Sequence, residues 1–263
     1  HANYQSLLDH VGSGKDWDLS RKHGGLRILP PFGYADKRRD GDYRGRMDAL
    51  AGVYSYLERI RQDYVVLAGG DVAVNLDLDD VFNQHIRTGA DITAVCTPVP
   101  RGDPRESDYF TVDENSVITD VSVHPINPMG CESMEVYIMS KDLLISLVEH
   151  CIAHNIPSFS QGVLLNLGSR LKIMSYCFEG YAARLQSVAG YYARSMELLD
   201  PAVRADLFNP LHPIKTKDQS NPSTYYGPMS LSKNSLVADG CIIEGEVENS
   251  ILFRGVTVEK GAK

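Results

Sequence analysis

The chain has 263 residues, 43% of them hydrophobic and 23% charged, an ordinary globular usage that excludes a disordered or fibrous protein. Its 26 Lys+Arg against 34 Asp+Glu give a formal net charge of -8, which disfavours nucleic acid or an anionic membrane as the main partner. No apolar run approaches the roughly 18 residues of a membrane helix, and no signal peptide is read, so the cytoplasm is the expected compartment.

In chain order, residues 1–50 are rich in Gly, Asp, Arg and Lys. They read as loop, with a short strand at Leu26-Arg27-Ile28-Leu29 stopped by Pro30-Pro31. Residues 48–61 follow helical spacing, with Leu50, Val53, Tyr54, Leu57 and Ile60 on one face. Tyr64-Val65-Val66-Leu67-Ala68 is a continuous apolar run ending in Gly69-Gly70-Asp71, as suits a parallel strand buried on both faces. A helix over 78–88 and a strand at Ile92-Thr93-Ala94-Val95-Cys96 complete a βαβ rhythm. A hairpin is expected over 109–123, turning at Asp113-Glu114-Asn115-Ser116. Then come a strand at 135–139, a helix at 141–154, a strand at 171–176 and a helix at 187–199. The fold class is therefore α/β with a mostly parallel sheet.

Residues 206–229 hold Pro210, Pro213, Pro222 and Pro228 among Lys, Asn and Ser and read as a linker. Beyond them the period becomes six: Val237 with Ile243, and Cys241, Val247 and Phe253. A hexapeptide period of aliphatic residues marks a parallel β-helix, broken here at Asn249 and Glu259, with ordinary short strands as the alternative. The expected organisation is a domain over 1–205, a linker over 206–229 and the start of a β-helix over 230–263. The chain begins on His1 and stops inside the repeat, so it is expected to be an internal fragment.

Asp71 is the sharpest single residue. It ends a strand and follows two glycines, and open α/β sheets bind ligands beyond the carboxyl ends of their strands. A carboxylate there suits a divalent metal on phosphates; a turn-capping Asp is the structural alternative. The five cysteines, Cys96, Cys131, Cys151, Cys177 and Cys241, have no CxxC spacing. They read as small hydrophobes, with neither a disulfide framework nor a zinc site. Lys37, Arg38, Arg39, Arg44 and Arg46 read as a solvated charged loop, with an anion or subunit contact as the alternative. His23, His85, His150, His154 and His212 lack metal-type spacing and read as surface or capping residues.

Several segments together resemble the bacterial ADP-glucose pyrophosphorylases, the glucose-1-phosphate adenylyltransferases. Ser6-Leu7-Leu8-Asp9-His10-Val11-Gly12, Trp17-Asp18-Leu19 and Ile28-Leu29-Pro30-Pro31 are similar to that family's early region. The segment 43–49, with Gly45 and Asp48, stands at its Gly-Thr-Ala-Asp-Ala loop near the nucleotide base. Gly70-Asp71 stands at its Ser-Gly-Asp metal motif. Ser133-Met134-Glu135-Val136-Tyr137 resembles its Ser-Met-Gly-Ile-Tyr stretch, whose Ser and Tyr contact the sugar phosphate. Phe178-Glu179-Gly180-Tyr181 precedes its second metal carboxylate, and 248–256 resembles its β-helix. The resemblance implies a nucleotidyltransferase-like domain followed by a left-handed β-helix, and a phosphate loop upstream of His1.

The departures point to lost catalysis. Val123-His124-Pro125 replaces a Glu-Lys-Pro whose Lys binds the sugar phosphate, and a neutral imidazole lacks that fixed charge. Ser158-Phe159-Ser160 replaces an Asp-Phe-Gly whose Asp holds the sugar hydroxyls. Arg184 stands in place of the second metal-binding Asp, and it is expected to pair with a carboxylate such as Asp71. The pattern resembles the family's regulatory GlgD-type subunits. It implies a chain that binds no Mg²⁺ itself, assembles with a catalytic subunit that does, and activates it in glycogen synthesis. A bound sugar phosphate or nucleotide remains open for this chain. An active adenylyltransferase and a pure assembly module are the alternatives.

Overall fold

The computed structural model describes residues 4–29, 43–103, 106–216 and 219–263. Pro30-Pro31, Lys37, Arg38 and Arg39 lie outside them. Two compact units divide the chain, Arg27–Gln186 and Ala2–Leu26 with Ser187–Lys263. The second unit opens with α1 (Tyr4–Val11), a helix where loop was expected; Gln5 donates to Asp9 one turn on.

In the first unit α2 (Arg46–Gly52) and α3 (Tyr54–Arg59) replace the single helix expected over 48–61. The break falls at Gly52-Val53, where a poor helix former meets a β-branched residue. Of the expected face Val53, at the junction, and Leu57 of α3 are buried, and α2 buries Met47. No strand forms at 26–29.

Next come β1 (Tyr64–Ala68), β2 (Val72–Val74), α4 (Leu78–Thr88), β3 (Ile92–Thr97), β4 (Asp108–Val112) and β5 (Ile118–Val123). They are followed by β6 (Cys131–Ser140), α5 (Lys141–Ala153), β7 (Ile173–Cys177) and β8 (Ala182–Arg184). The hairpin β4–β5 forms where expected. Helix α4 starts on Asp77, whose carboxylate accepts from the Asp79 amide, and stops at Gly89 in the left-handed region at φ 58°.

The sheet itself is mixed and not mostly parallel. Strand β6 is its hub and runs antiparallel to β1, β3 and β4, while β3 and β7 pair in parallel. The β1–α4–β3 crossover does leave β1 and β3 pointing the same way, but β6 lies between them. An apolar run reports burial and carries no information about the direction of its partner. Nor is β1 buried on both faces: Tyr64 and Val66 are exposed.

One sheet face packs under α2, α3 and α5 around Met47, Leu57, Tyr137, Leu144 and Val148. The other packs against Val81 of α4, with Val95, Val136, Ile138 and Ala182. Helices on both faces of a central sheet make a mixed α/β fold compatible with the nucleotidyltransferase-like one. A small antiparallel ladder, β2–β8, sets Val72 against Arg184. Among the described residues no helix is long and apolar enough to cross a membrane.

His85 on α4 is buried, contrary to its reading as a surface or capping residue. Its Nδ1 lies 2.9 Å from the Thr93 hydroxyl, and its ring meets Tyr64 edge-on. Burial lowers its pKa from the ordinary 6.5, with Asp91 opposing. The unfolded chain therefore binds a proton below that value that the folded chain refuses, and stability falls as pH drops from 6.5. Denaturation midpoints from pH 7.5 down to 5 should show this loss, and His85→Gln should reduce it.

In the second unit α6 (Val188–Glu197) and α7 (Pro201–Leu207) precede seven short strands: β9 (Tyr225–Tyr226), β10 (Leu231–Lys233), β11 (Leu236–Val237), β12 (Ile242–Ile243), β13 (Glu246–Glu248), β14 (Ile251–Leu252) and β15 (Thr257–Val258). All pair in parallel, β10 with β13, β11 with β14, and β12 with both β9 and β15. Asn234 and Asn249, 15 residues apart, occupy left-handed corners and bond side chain to side chain at 2.8 Å. The corners, not the hexads, set the repeat. Cys241, Ile243 and Val247 point inward as the six-residue phase expects, but Phe253 beyond the Asn249 corner is 59% exposed.

Candidate functional site

Most of the residues singled out in the sequence gather at one end of the central sheet in the first unit. Asp71 lies between β1 and β2. The β2–β8 register brings Arg184 alongside, and the Leu185 amide donates to the Asp71 carbonyl at 2.7 Å. Arg184 closes on the Asp71 carboxylate with Nη2 at 2.6 Å and Nε at 3.1 Å from the same Oδ2. Its Nη1 donates to the Ser133 carbonyl at 3.3 Å. The guanidinium is 7% exposed and the carboxylate 36%. Gly69 leaves room beside it: a Cβ there would lie 2.7 Å from Asp71 Oδ1 and displace the carboxylate.

Ser133 and Tyr137, both on β6, are buried and lie hydroxyl to hydroxyl at 3.1 Å. Between them Glu135 bends the strand at φ 55° and donates its amide to the Ser133 hydroxyl. Its carboxylate takes Arg46 Nη2 at 2.6 Å. The Arg46 guanidinium also lies 5.5 Å from the Tyr137 ring centroid and 6.0 Å from that of Phe159, a cation–π arrangement. Burial pushes the Glu135 carboxyl up from its ordinary range, with Arg46 opposing. Burial also drives the Tyr137 phenol upward, so it stays a neutral hydrogen-bonding group.

His124, at φ 50°, sets Nε2 3.7 Å from Asp108 Oδ1, a buried oxygen without a hydrogen-bond partner, while Oδ2 accepts from the Ser160 hydroxyl. Gly45 caps α2 against the Pro157 carbonyl, which accepts from the Met47 amide. Asp48 holds Arg44 through two oxygens, at 2.7 and 3.1 Å, and Arg44 reaches Asn155. Ser158 turns its hydroxyl to the Gln161 amide. Asp48 and Ser158 thus serve local turns, and Ser133, Tyr137, Asp71 and Arg184 form one connected group.

Arg44 is an exposed loop residue, as the charged-loop reading expects, whereas Arg46 is half-buried on α2 and departs from it. Each is fixed on a carboxylate, and Arg46 keeps a buried Nη1 without a hydrogen-bond partner. Sequence reasoning missed Arg46, Glu135 and Asp108 as site residues. The one available signal was a Glu where the resembled motif has Gly. It also missed that Cys96, Cys131 and Cys177 meet, with sulfurs within 4.8 Å of one another.

No protein-family model matches the chain. It is 36% identical over 263 residues to glycogen biosynthesis protein GlgD of Bacillus subtilis, covering 99% of the chain and 65% of that protein. With GlgD of Geobacillus stearothermophilus the identity is 37%, over 98% of the chain and 65% of the relative. With a glucose-1-phosphate adenylyltransferase of Halalkalibacterium halodurans it is 32%, over 96% of the chain and 67% of the relative.

Proposed function

Since the chain belongs to the glucose-1-phosphate adenylyltransferase family, on its GlgD side, we propose that it is part of a non-catalytic regulatory subunit. Its catalytic paralogue would convert ATP and glucose 1-phosphate to ADP-glucose and pyrophosphate in glycogen synthesis. We read the parallel coil of the second unit as the start of a left-handed β-helix, and the cytoplasm as the compartment.

One observation carries the reading: Arg184 lies on Asp71. In the resembled motif both positions are carboxylates on a divalent cation. A guanidinium for a carboxylate changes the local charge by two units. One unit at 4 Å is worth about 4 kcal/mol at an effective dielectric near 20. The residues present do not fit Mg²⁺, because the cation's place beside Asp71 is taken by Nη2 at 2.6 Å. Phosphoryl-group transfer depends on such cation clamps more than on any covalent group. The side chains around this pair bond one another too, Ser133 to Tyr137 and Arg46 to Glu135. They support a rigid scaffold, or a regulatory pocket for a sugar phosphate or nucleotide beside Arg46.

The test is turnover of the full-length chain alone, of a catalytic subunit alone and of the two together. No ADP-glucose from this chain alone and a rise on mixing are expected. Turnover by this chain comparable to the catalytic subunit's would overturn the proposal. Calorimetry with ATP and glucose 1-phosphate separates a pocket from pure assembly.

A further inference from the structure

Cys96 is the penultimate residue of β3, Cys131 begins β6 and Cys177 ends β7. The parallel register sets Cys96 directly against Cys177. A bulge in the β3–β6 pairing at Val95/Cys96 sets Cys96 against Ser133, and Cys131 is two residues before Ser133, on the same side of the strand. Three thiols that are far apart in sequence therefore meet at one corner of the sheet, their sulfurs within 4.8 Å of one another. Cys96 is buried, Cys131 half-buried and Cys177 exposed, so the cluster has a path to solvent.

We propose that Cys96, Cys131 and Cys177 form a binding site for a thiophilic d¹⁰ cation, Zn²⁺, with a fourth position open to solvent beside Cys177. Zinc–sulfur bonds of about 2.3 Å in a tetrahedron put the sulfurs about 3.8 Å apart, so the cluster needs only about 1 Å of closure. Binding takes the thiolate form, so the three thiol protons leave to solvent as the cation enters. A disulfide is the weaker use of the same atoms. It would join two sulfurs at about 2.05 Å and strand the third. A bound ion would tie the ends of β3 and β7 to the start of β6, two residues ahead of Ser133.

The test uses the full-length chain, reduced and stripped of metal. It is titrated with Zn²⁺ against a chromophoric chelator, and with Cd²⁺ for sulfur-to-metal charge-transfer absorption. One ion per chain, the charge-transfer band and a raised melting temperature are expected. Cys131→Ala and Cys177→Ala should each weaken binding by more than about tenfold, while Cys241→Ala leaves it unchanged. These two variants avoid the fully buried Cys96, whose replacement endangers folding. Absence of zinc uptake, uptake that both variants retain, or oxidation to an intramolecular disulfide in place of uptake would each overturn the proposal.

Discussion

Asp71→Ala is expected to destabilise the fold by about 3 kcal/mol, more than Arg184→Met at the other end of the same ion pair. Removing the carboxylate leaves a guanidinium that is 7% exposed with one remaining acceptor, the Ser133 carbonyl. Stranding one charge of a fully buried pair costs about 3–5 kcal/mol. The partial exposure of Asp71 places this pair at the lower end. Arg184→Met puts an apolar chain of similar length into the buried half and leaves the carboxylate to water, at about 1 kcal/mol. The double variant should cost little more than Arg184→Met alone, a coupling of about 3 kcal/mol. Urea unfolding of the three variants measures this. Equal costs for the two single changes would mean that the pair is no buried anchor. Arg184→Asp goes further: two carboxylates would then face each other, and added Mn²⁺ should raise its melting temperature while leaving the parent unchanged.

Glu132→Ala is expected to cost about 4 kcal/mol. The side chain is wholly buried and is the acceptor for the stretch after β3. The amides of Arg101 and Gly102 donate to Oε2 at 2.8 and 3.1 Å, and the Ser107 hydroxyl donates to Oε1 at 2.7 Å. Each donor left unpaired costs about 1–3 kcal/mol, and the vacated volume adds a cavity term. Glu132→Gln keeps one acceptor and the shape, so it should fall between alanine and the parent. The denaturation midpoint should drop with the slope unchanged; a loss below about 1 kcal/mol would show that water replaces the carboxylate.

The contrast between legible and hidden parts has physical causes. Helix α4 was readable because its apolar spacing, Asp77 cap and terminal Gly89 are all local in sequence. The β4–β5 hairpin was readable because four polar residues separate two β-branched runs. Strand direction was not readable, because it is fixed by β6, whose first half, Cys131-Glu132-Ser133, looks too polar for a buried strand. These residues fit there because their polar atoms find partners: Glu132 at Arg101 and Gly102 and the Ser133 carbonyl at Arg184, all far along the chain, and the Ser133 hydroxyl at Tyr137 four residues on.

The site divides in the same way. The Arg184–Asp71 contact was foreseeable as charge complementarity at two positions that the resemblance aligns. The Arg46–Glu135 contact was not, since Arg46 sits in a segment that reads as a charged loop and nothing in the pattern of the 135–139 strand points to it. The cysteine cluster was hidden for a third reason: a register and a bulge create it, and neither leaves a spacing in the sequence.

Glu135 sits at φ 55°, where a side chain costs about 1 kcal/mol and glycine enters freely. The resembled motif has glycine there, so its strand presents bare backbone at that bend. In this chain the same bend carries a carboxylate, held upright by Arg46 beneath the Ser133–Tyr137 pair. Its Oε1 lies 3.5 Å from the Tyr137 hydroxyl, so the side chain fills space that a glycine leaves open. On the non-catalytic reading proposed above, reverting Arg184 alone would therefore leave the Glu135 side chain in place beside both hydroxyls.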